Sequence, residues 1–360
     1  MSQYLVLSHV DIQNANSIAG LTWGFPAITQ FLGFTHALSR KISKNYEGEY
    51  DFELVGCGVI SHSTHNKVYQ PKQYADFEFL QSRNPPVLEK HKNGKKVPTI
   101  EEGKMNLTVS FIIEIDDVLT LTEEQIKELE NKVLELCYRM RIAGGTVLNI
   151  KKAKILSAST QKQQSDMLKK IKRLTMPGFV LLDRKDYLQQ HYQELLEKYN
   201  EEKETEEKPQ VLDAWLNFSA LKYKAIPELH EDQSVADENT PANWEYVPKP
   251  SLDSPIPGYL IPLMTGYKAI SNLYAPGEVK NTRDETTHSR FVEAIHSVGE
   301  WKGMHNTKDV ATIIWRYKHD EQWYLCEQNN SEPVVKTIAS KSNEVKEAQT
   351  IKLNEALNLF

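Results

Sequence analysis

Hydrophobic and polar positions alternate most strictly between Met105 and Ile115. There Met105, Leu107, Val109, Phe111, Ile113 and Ile115 are interrupted by Asn106, Thr108, Ser110 and Glu114. A period of two predicts a strand with one face on a core and the other mostly polar. The stretch Tyr4 to Ile12 predicts an earlier strand, with Tyr4, Val6, Val10 and Ile12 on one face and the polar turn Gln13–Ser17 after it. Phe52 to Ile60 predicts another strand, in which Gly56 and Gly58 mark a bulge or a close backbone approach. Ile28, Phe31, Leu32, Leu38 and Ile42 recur at helical spacing behind Pro26, a residue suited to a first helical position. Thr122 and Gln125 fit a capping box for a second helix, with Ile126, Leu129, Val133, Leu134, Cys137 and Met140 as its buried stripe. That helix is expected to stop at Gly144–Gly145, with a short strand from Thr146 to Ile150 after it.

The order strand, helix, strand, strand, helix, strand predicts an α+β, ferredoxin-like or RNA-recognition-motif-like domain over residues 1–190. An insertion over 61–103 separates its second and third strands, and an arm of that length in a compact domain usually has a function. Residues 191–255 read as an acidic, proline-containing helical and linker stretch. Residues 256–360 read as a smaller β-rich region, with strand-like runs at Gly258–Lys268 and Val310–Cys326 and a helical end from Asn343 to Phe360. The Gly- and aromatic-rich third strand of the common RNA-recognition motif is missing, so bases are not expected to stack on this sheet as they do there.

Charge changes the picture once it is divided. The 360 residues carry 43 Lys plus Arg and 49 Asp plus Glu, a net charge of -6. Gln193 to Asp253 alone holds 15 acidic and 6 basic residues, which leaves +3 on the remainder. Such an acidic stretch has the composition of solvated helix ends, linkers and loops rather than of a packed core. Lys151 to Arg173 sets seven lysines and one arginine against Asp166, and Lys67 to Lys104 interleaves eight basic residues with Tyr69, Tyr74, Phe77 and Phe79. Basic residues among aromatics suit phosphate contact and base stacking, or form a merely solvated face.

Cys57, Cys137 and Cys326 have no CxxC or Cys/His ligand spacing, so neither a disulfide framework nor a metal site is expected. No cofactor motif is present either. The N-terminus lacks a signal-peptide pattern and no apolar run reaches membrane-spanning length, so the expectation is a soluble cytoplasmic protein. Candidate chemistry is sparse. His62 and His65 could be a metal pair or a general acid and base, or part of a solvent-facing loop; His9 and His36 could be bases or ordinary half-buried residues. A metal-independent ribonuclease using His36, His62 or His65 is the enzymatic alternative, and an interaction scaffold without RNA contact is another. Binding signals are better. Arg139 and Arg141, before Gly144–Gly145, could satisfy helix carbonyls or meet a phosphate. Lys280, Arg283 and Arg290 could contact RNA, or be neutralised by Asp284 and Glu285.

Seven strings carry a family resemblance. They are Ile12-Gln-Asn-Ala-Asn16, Leu21-Thr-Trp-Gly-Phe-Pro26, Gly33-Phe34 with His36-Ala37-Leu38, Glu101-Glu102-Gly103, Met140-Arg-Ile-Ala-Gly-Gly145, Met176-Pro-Gly-Phe179, and Leu273 to Arg283 through Arg290-Phe291-Val292. In this order they resemble the second Csy subunit family, the Cas-five-type repeat-associated proteins of type I-F CRISPR surveillance complexes. The resemblance implies a non-catalytic subunit of repeat-associated fold, with 61–103 as a thumb-like arm. Its implied partners are the large Csy subunit, the backbone filament subunit, the 5′ handle of the CRISPR RNA and target double-stranded DNA. Under it Gln13, Asn14, Asn16, Trp23, Phe25, Arg139, Arg141, Gly144, Gly145, Lys280, Arg283 and Arg290 become candidate RNA-binding residues.

Overall fold

The computed structural model describes residues 2–46, 52–80, 82–83, 99–100, 103–116, 119–202, 207–228, 240–250, 258–282 and 284–329. The expected terminal helix 343–360, Glu101–Glu102, part of the acidic tract and Arg283 lie outside them. The fold is a mixed α/β one organised on a ten-stranded antiparallel sheet. Its first half contains β1 (Ser2–Asn16), α1 (Ile28–Asn45), β2 (Leu54–Asn66), β3 (Lys104–Ile115) and α2 (Glu123–Tyr138). The short β4 (Arg141–Ile142), the long β5 (Gly145–Ala158), α3 (Gln161–Thr175) and β6 (Phe179–Asp183) follow. Next come α4 (Lys185–Glu202), α5 (Val211–Ser219) and a separate ribbon of β7 (Lys222–Pro227) with β8 (Ala242–Val247). The last four strands are β9 (Tyr259–Ala269), β10 (Val292–Gly303), β11 (Trp315–Asp320) and β12 (Trp323–Gln328).

The sheet runs β4-β5-β1-β3-β2-β6-β10-β9-β12-β11, and β11 then pairs back to β2. Strand β2 therefore has β3 along one edge, while its other edge carries β11 at Gly56 and Cys57 and β6 at Ile60 and Ser61. Strands β2, β6, β10, β9, β12 and β11 close into a ring, which removes the exposed edges that an open sheet would present. Inside it Trp315 is fully buried and donates from Nε1 to the Leu181 carbonyl at 3.1 Å, and Gln328 Nε2 donates to the same carbonyl at 3.0 Å.

Glycine at 56 is what lets the ring close. A Cβ there would stand 2.6 Å from the Trp315 carbonyl oxygen and 2.9 Å from Arg316 Cγ. Arg316 on β11 crosses over this glycine to β3, where its Nε and Nη2 each donate to Glu114 at 2.7 Å. A bidentate, partly buried pair of this geometry is among the stronger polar contacts available to a protein.

Helices α1 and α2 cover one face of the first four long strands, where Phe31, Phe34, Leu38, Leu129, Val133 and Cys137 join Phe111 in the main core. Helix α3 covers part of the other face, with Met167 and Ile171 against Tyr4, Val6, Ile60 and Ile112. Both faces of β1 are thus buried, and the expected single face is corrected. Tyr4 and Val6 point toward α3, whereas Val10 and Ile12 point toward α1, because a bulge between Leu7 and Val10 reverses the alternation and His9 takes φ 48°. The polar residues after Ile12 continue the strand to Asn16 rather than turn, with Asn14 at φ 59°.

Other boundaries move as well. Helix α1 starts at Ile28, two residues after Pro26. The Thr122/Gln125 capping box is present, but α2 ends at Tyr138, and Ala143–Gly144, both at positive φ, form the turn of the β4–β5 hairpin. Strand β5 runs to Ala158, beyond the expected Ile150, and β10 was not anticipated. The acidic stretch is not wholly solvated. Tyr192, Val211, Ala214 and Phe218 from it pack with Leu188, Leu260 and Val298, because α4 and α5 each turn an apolar side onto β9 and β10. All three cysteines are buried free thiols, and burial pushes Cys57 and Cys137 up to about 12.

Gly33 lies exposed on α1 with nothing within 4 Å of an added Cβ. Gly33→Ala is expected to raise stability by about 1 kcal/mol through helix propensity. Gly56→Ala is expected to lower it by about 1–3 kcal/mol through overpacking against the Trp315 carbonyl. Denaturant unfolding of the two variants beside the wild type checks the opposite signs.

Candidate nucleic-acid interface

A concavity of about 970 Å³ lies where the ring meets the polar loop after β1. Trp23, Phe25, Phe179, Trp215, Tyr259 and Trp301 line it, with His62, Ser63, Thr64 and Asn66 of β2 among its polar residues. Three of the rings stand well out into solvent: Trp23 is 65% exposed, Phe179 56% and Tyr259 68%. Phe25 is held instead, edge-on to Trp301 at 4.8 Å and beside Phe31. Trp23 meets Phe79 of the inserted arm edge-on at 5.6 Å, and Lys249 Nζ lies 5.2 Å from the centroid of the Tyr259 ring. Among the described residues, the buried Asn66 Oδ1 and Ser219 Oγ on the groove wall have no hydrogen-bond partner. Open aromatic faces beside unmet polar atoms suit flat, heteroatom-rich ligands such as unpaired bases.

Beside this groove the sheet end gathers the polar candidates. The backbone N–H of Asn14 donates to Asn106 Oδ1 at 3.1 Å, and Lys67 Nζ, at the root of the arm, donates to Asn14 Oδ1. Asn16 is occupied structurally, donating from Nδ2 to the Ile18 carbonyl at 2.9 Å and from its backbone to the Ala143 carbonyl at 2.8 Å. That bond ties the polar loop to the glycine turn. At Gly145 a Cβ would meet Ile12 Cγ2 at 2.6 Å and the Gln13 carbonyl at 2.7 Å, so only glycine lets β5 approach β1 there. Gln13 is exposed, and Arg141 Nη1 donates to the Gly144 carbonyl at 3.2 Å. Arg139 caps α2 through its backbone and its exposed side chain has no ion pair among the described residues.

Lys280 and Arg290 belong elsewhere. They sit in the loop joining the far ends of β9 and β10, roughly ten residues or ~33 Å along the strands from Tyr259 and Trp301. Arg290 Nη1 donates to the Glu321 carbonyl at 2.8 Å, and Lys280 is exposed. Asp284 is not paired with either of them; Thr286 and Thr287 donate to its carboxylate and hold its pKa down to about 2.

The histidines are distributed differently from expectation. His36 is exposed on α1, on the face of the sheet opposite Ser110, and His65 is exposed near the end of β2. His62 pairs with His9 instead. The two rings stack at 4.0 Å and 13° over Ser110 of β3, and each histidine lies at a bulge in its own strand. His62 Nδ1 lies 2.6 Å from the Pro177 carbonyl and so carries the proton, and Nε2 accepts from Ser110 Oγ at 2.6 Å. Burial holds both imidazoles below the usual 6.5, and for His9 the neighbouring His62 and Lys151 add to the effect. Sequence reading gave no sign of this pair, since neither bulge has a motif. It also missed Phe179, Trp215, Tyr259 and Trp301 as groove residues, although Phe179 closes one of the seven strings.

Residues 5–326 match the family model described as CRISPR-associated protein (Cas_Csy2). The chain is also 32% identical over 326 residues to the CRISPR-associated protein Csy2 of Pseudomonas aeruginosa (strain UCBPP-PA14), with 88% of this chain and 91% of that protein covered.

Histidines with depressed pKa values lend stability that is full above about pH 6.5 and is lost as the pH falls, because the unfolded chain then binds more protons. Asp183, whose carboxyl is pushed by burial up to about 6, acts in the opposite direction: its contribution is full at acid pH and fades as pH rises through about 6. The informative quantity is therefore a difference. The fall in thermal midpoint from about pH 7.5 to about 5.5 should be larger in the wild type than in His62→Gln. Equal falls in a melting series would remove the pair as a source of pH dependence.

Proposed function

The chain belongs to the Csy2 family of CRISPR-associated proteins, subunits of the type I-F surveillance complex, and from that premise we propose that it is a non-catalytic RNA holder whose aromatic groove receives unpaired bases of the CRISPR RNA 5′ handle. The observation that carries the reading is the groove itself. Trp23, Phe179 and Tyr259 offer open ring faces, and a base stacked on such a ring contributes about 1–3 kcal/mol without demanding one sequence. The adjoining Gln13, Asn14, Lys67, Arg139 and Arg141 supply neutral donors and positive charge for the backbone of the same strand.

In this reading the chain pairs with the large Csy subunit, the two cap one end of the backbone filament, and the pair supports recognition of target double-stranded DNA in the cytoplasm. The strand order β5-β1-β3-β2 with α1 and α2 on one face favours a ferredoxin-like, repeat-associated core with residues 61–103 as its thumb-like arm, the first six of them, 61–66, continuing β2. A structural rather than enzymatic function is supported by the separation of His36 from His62 across the sheet. Among the described residues no helix is long and apolar enough to cross a membrane, and no cluster of His, Cys, Asp or Glu could hold a metal.

The test uses the complex reconstituted with guide RNA. Trp23→Ala combined with Tyr259→Ala is expected to weaken handle binding by about tenfold or more, following the stacking energies above. Unchanged affinity would remove the groove from the interface, and cleavage of repeat RNA by the isolated chain in chelator would replace the holder by a nuclease.

A further inference from the structure

The stacked histidines are not explained by base stacking alone. Two bulges in strands that flank β3 on either side converge over one residue, Ser110, and one of them forces His9 to φ 48°. A non-glycine residue at such φ in a central strand is costly, and it persists where the surroundings aim a side chain for use. Hydrogen-bond chemistry fixes the protons. Ser8 Oγ lies 2.6 Å from the Leu174 carbonyl, which can only accept, so the hydroxyl donates there. The 2.9 Å contact between Ser8 Oγ and His9 Nδ1 must then run from Nδ1–H to oxygen. His9 consequently carries its proton on Nδ1 and leaves Nε2 as a lone pair without a partner among the described residues. His62 has no such freedom, since both its ring nitrogens are engaged.

The charges around this lone pair come from three strands. On β5, Ser8 pairs with Lys152 and Val10 with Ile150, which sets Lys151 opposite His9, and Lys151 is exposed with no ion pair among the described residues. On β1, Asp11 accepts from Thr108 Oγ1 and Asn149 Nδ2, so its carboxylate is already occupied. On β2 there is His62, neutral and stacked. From α3 and the turn after it the Leu174 carbonyl meets Ser8 and the Pro177 carbonyl meets His62, while Lys172 is tied to the His305 carbonyl.

We propose that His9 Nε2 and Lys151 form a docking site for one backbone phosphate of the single-stranded RNA held in the neighbouring groove, and that His9 takes up a proton when the phosphate binds. The inference rests on the RNA-holding reading, because His62 lies in the groove lining and links it to His9. Empty, the site is uncharged at His9 at neutral pH. A phosphate supplies the counter-charge that desolvation otherwise withholds, the proton goes to Nε2, and the imidazolium donates to a phosphate oxygen while Nδ1–H keeps its bond to Ser8. Lys151 adds a long-range, salt-sensitive attraction.

Calorimetric titration of the purified full chain with a single-stranded oligoribonucleotide of the repeat 5′ segment, in buffers of different ionisation enthalpy, reads proton uptake directly. The wild type is expected to take up a fraction of a proton at neutral pH and to bind up to about tenfold more tightly per pH unit as the pH falls. His9→Asn, chosen because asparagine tolerates the left-handed backbone, is expected to bind more weakly and without proton uptake. Lys151→Gln should keep the uptake and reduce the slope of log affinity against log salt by about 0.7. RNA binding without proton uptake by the wild type, or uptake retained in His9→Asn, overturns the site and leaves the groove reading standing; no RNA binding at all overturns both. If His9→Asn does not fold, the wild-type pH series and the Lys151→Gln slope decide.

Discussion

Strand β2 has to serve two edges, and the molecule is arranged around that constraint. On one edge it completes the four long strands that carry α1, α2 and α3; on the other it receives β11 and β6, the first and last contacts of the C-terminal ring. Any central strand pairs on both edges, but here the second edge is divided between two neighbours, β11 at Gly56–Cys57 and β6 at Ile60–Ser61. The closest glycine approach along β2 is at Gly56, where Arg316 passes over the strand to grip Glu114. The main core continues through this seam, with Phe31 and Phe111 on one side and Leu181, Leu263, Trp315 and Cys326 on the other, all in one cluster. The buried Trp315 and Gln328 then pin the short β6 through the Leu181 carbonyl.

The seam also makes the groove. Phe179 on β6, Tyr259 on β9 and Trp301 on β10 come from the ring, Trp23 and Phe25 from the loop after β1, and His62, Ser63, Thr64 and Asn66 from β2. None of these elements could form the site alone, since the ring supplies ring faces and the first strands supply most of the polar atoms. The charge distribution follows the same division. Net acidity is concentrated between Gln193 and Asp253, whereas β5, α3 and the root of the arm are basic. A chain of net charge -6 can therefore still present a local positive field around β5, α3 and the root of the arm.

Much of the architecture of the first half was legible. The alternation through β3, the capping box of α2 and the apolar stripe of α1 are local consequences of backbone geometry, and they are found where they were expected. The exceptions have physical reasons. Bulges at His9 and His62 reverse or interrupt the period of two, which a face assignment assumes to be unbroken. The acidic stretch hides a core cluster because its apolar residues are spaced among charges that face water on the other side of α4 and α5. The candidate arginines split for a related reason: Arg141 stays with the glycine turn beside the groove, while Lys280 and Arg290 sit at the far ends of the same two strands that line it.

By itself the amino-acid sequence determined the succession of strands and helices in the first half, the regional charge and the family, because each depends on residues close together in the chain or on ordered short strings. Only the tertiary structure decided that β2 is shared, that aromatic rings from residues 23 to 301 face one groove, and that His9 meets His62 rather than His65. Those outcomes depend on strand register and on bulges, and a one-residue shift in either turns a side chain to the opposite face without leaving any mark in local composition.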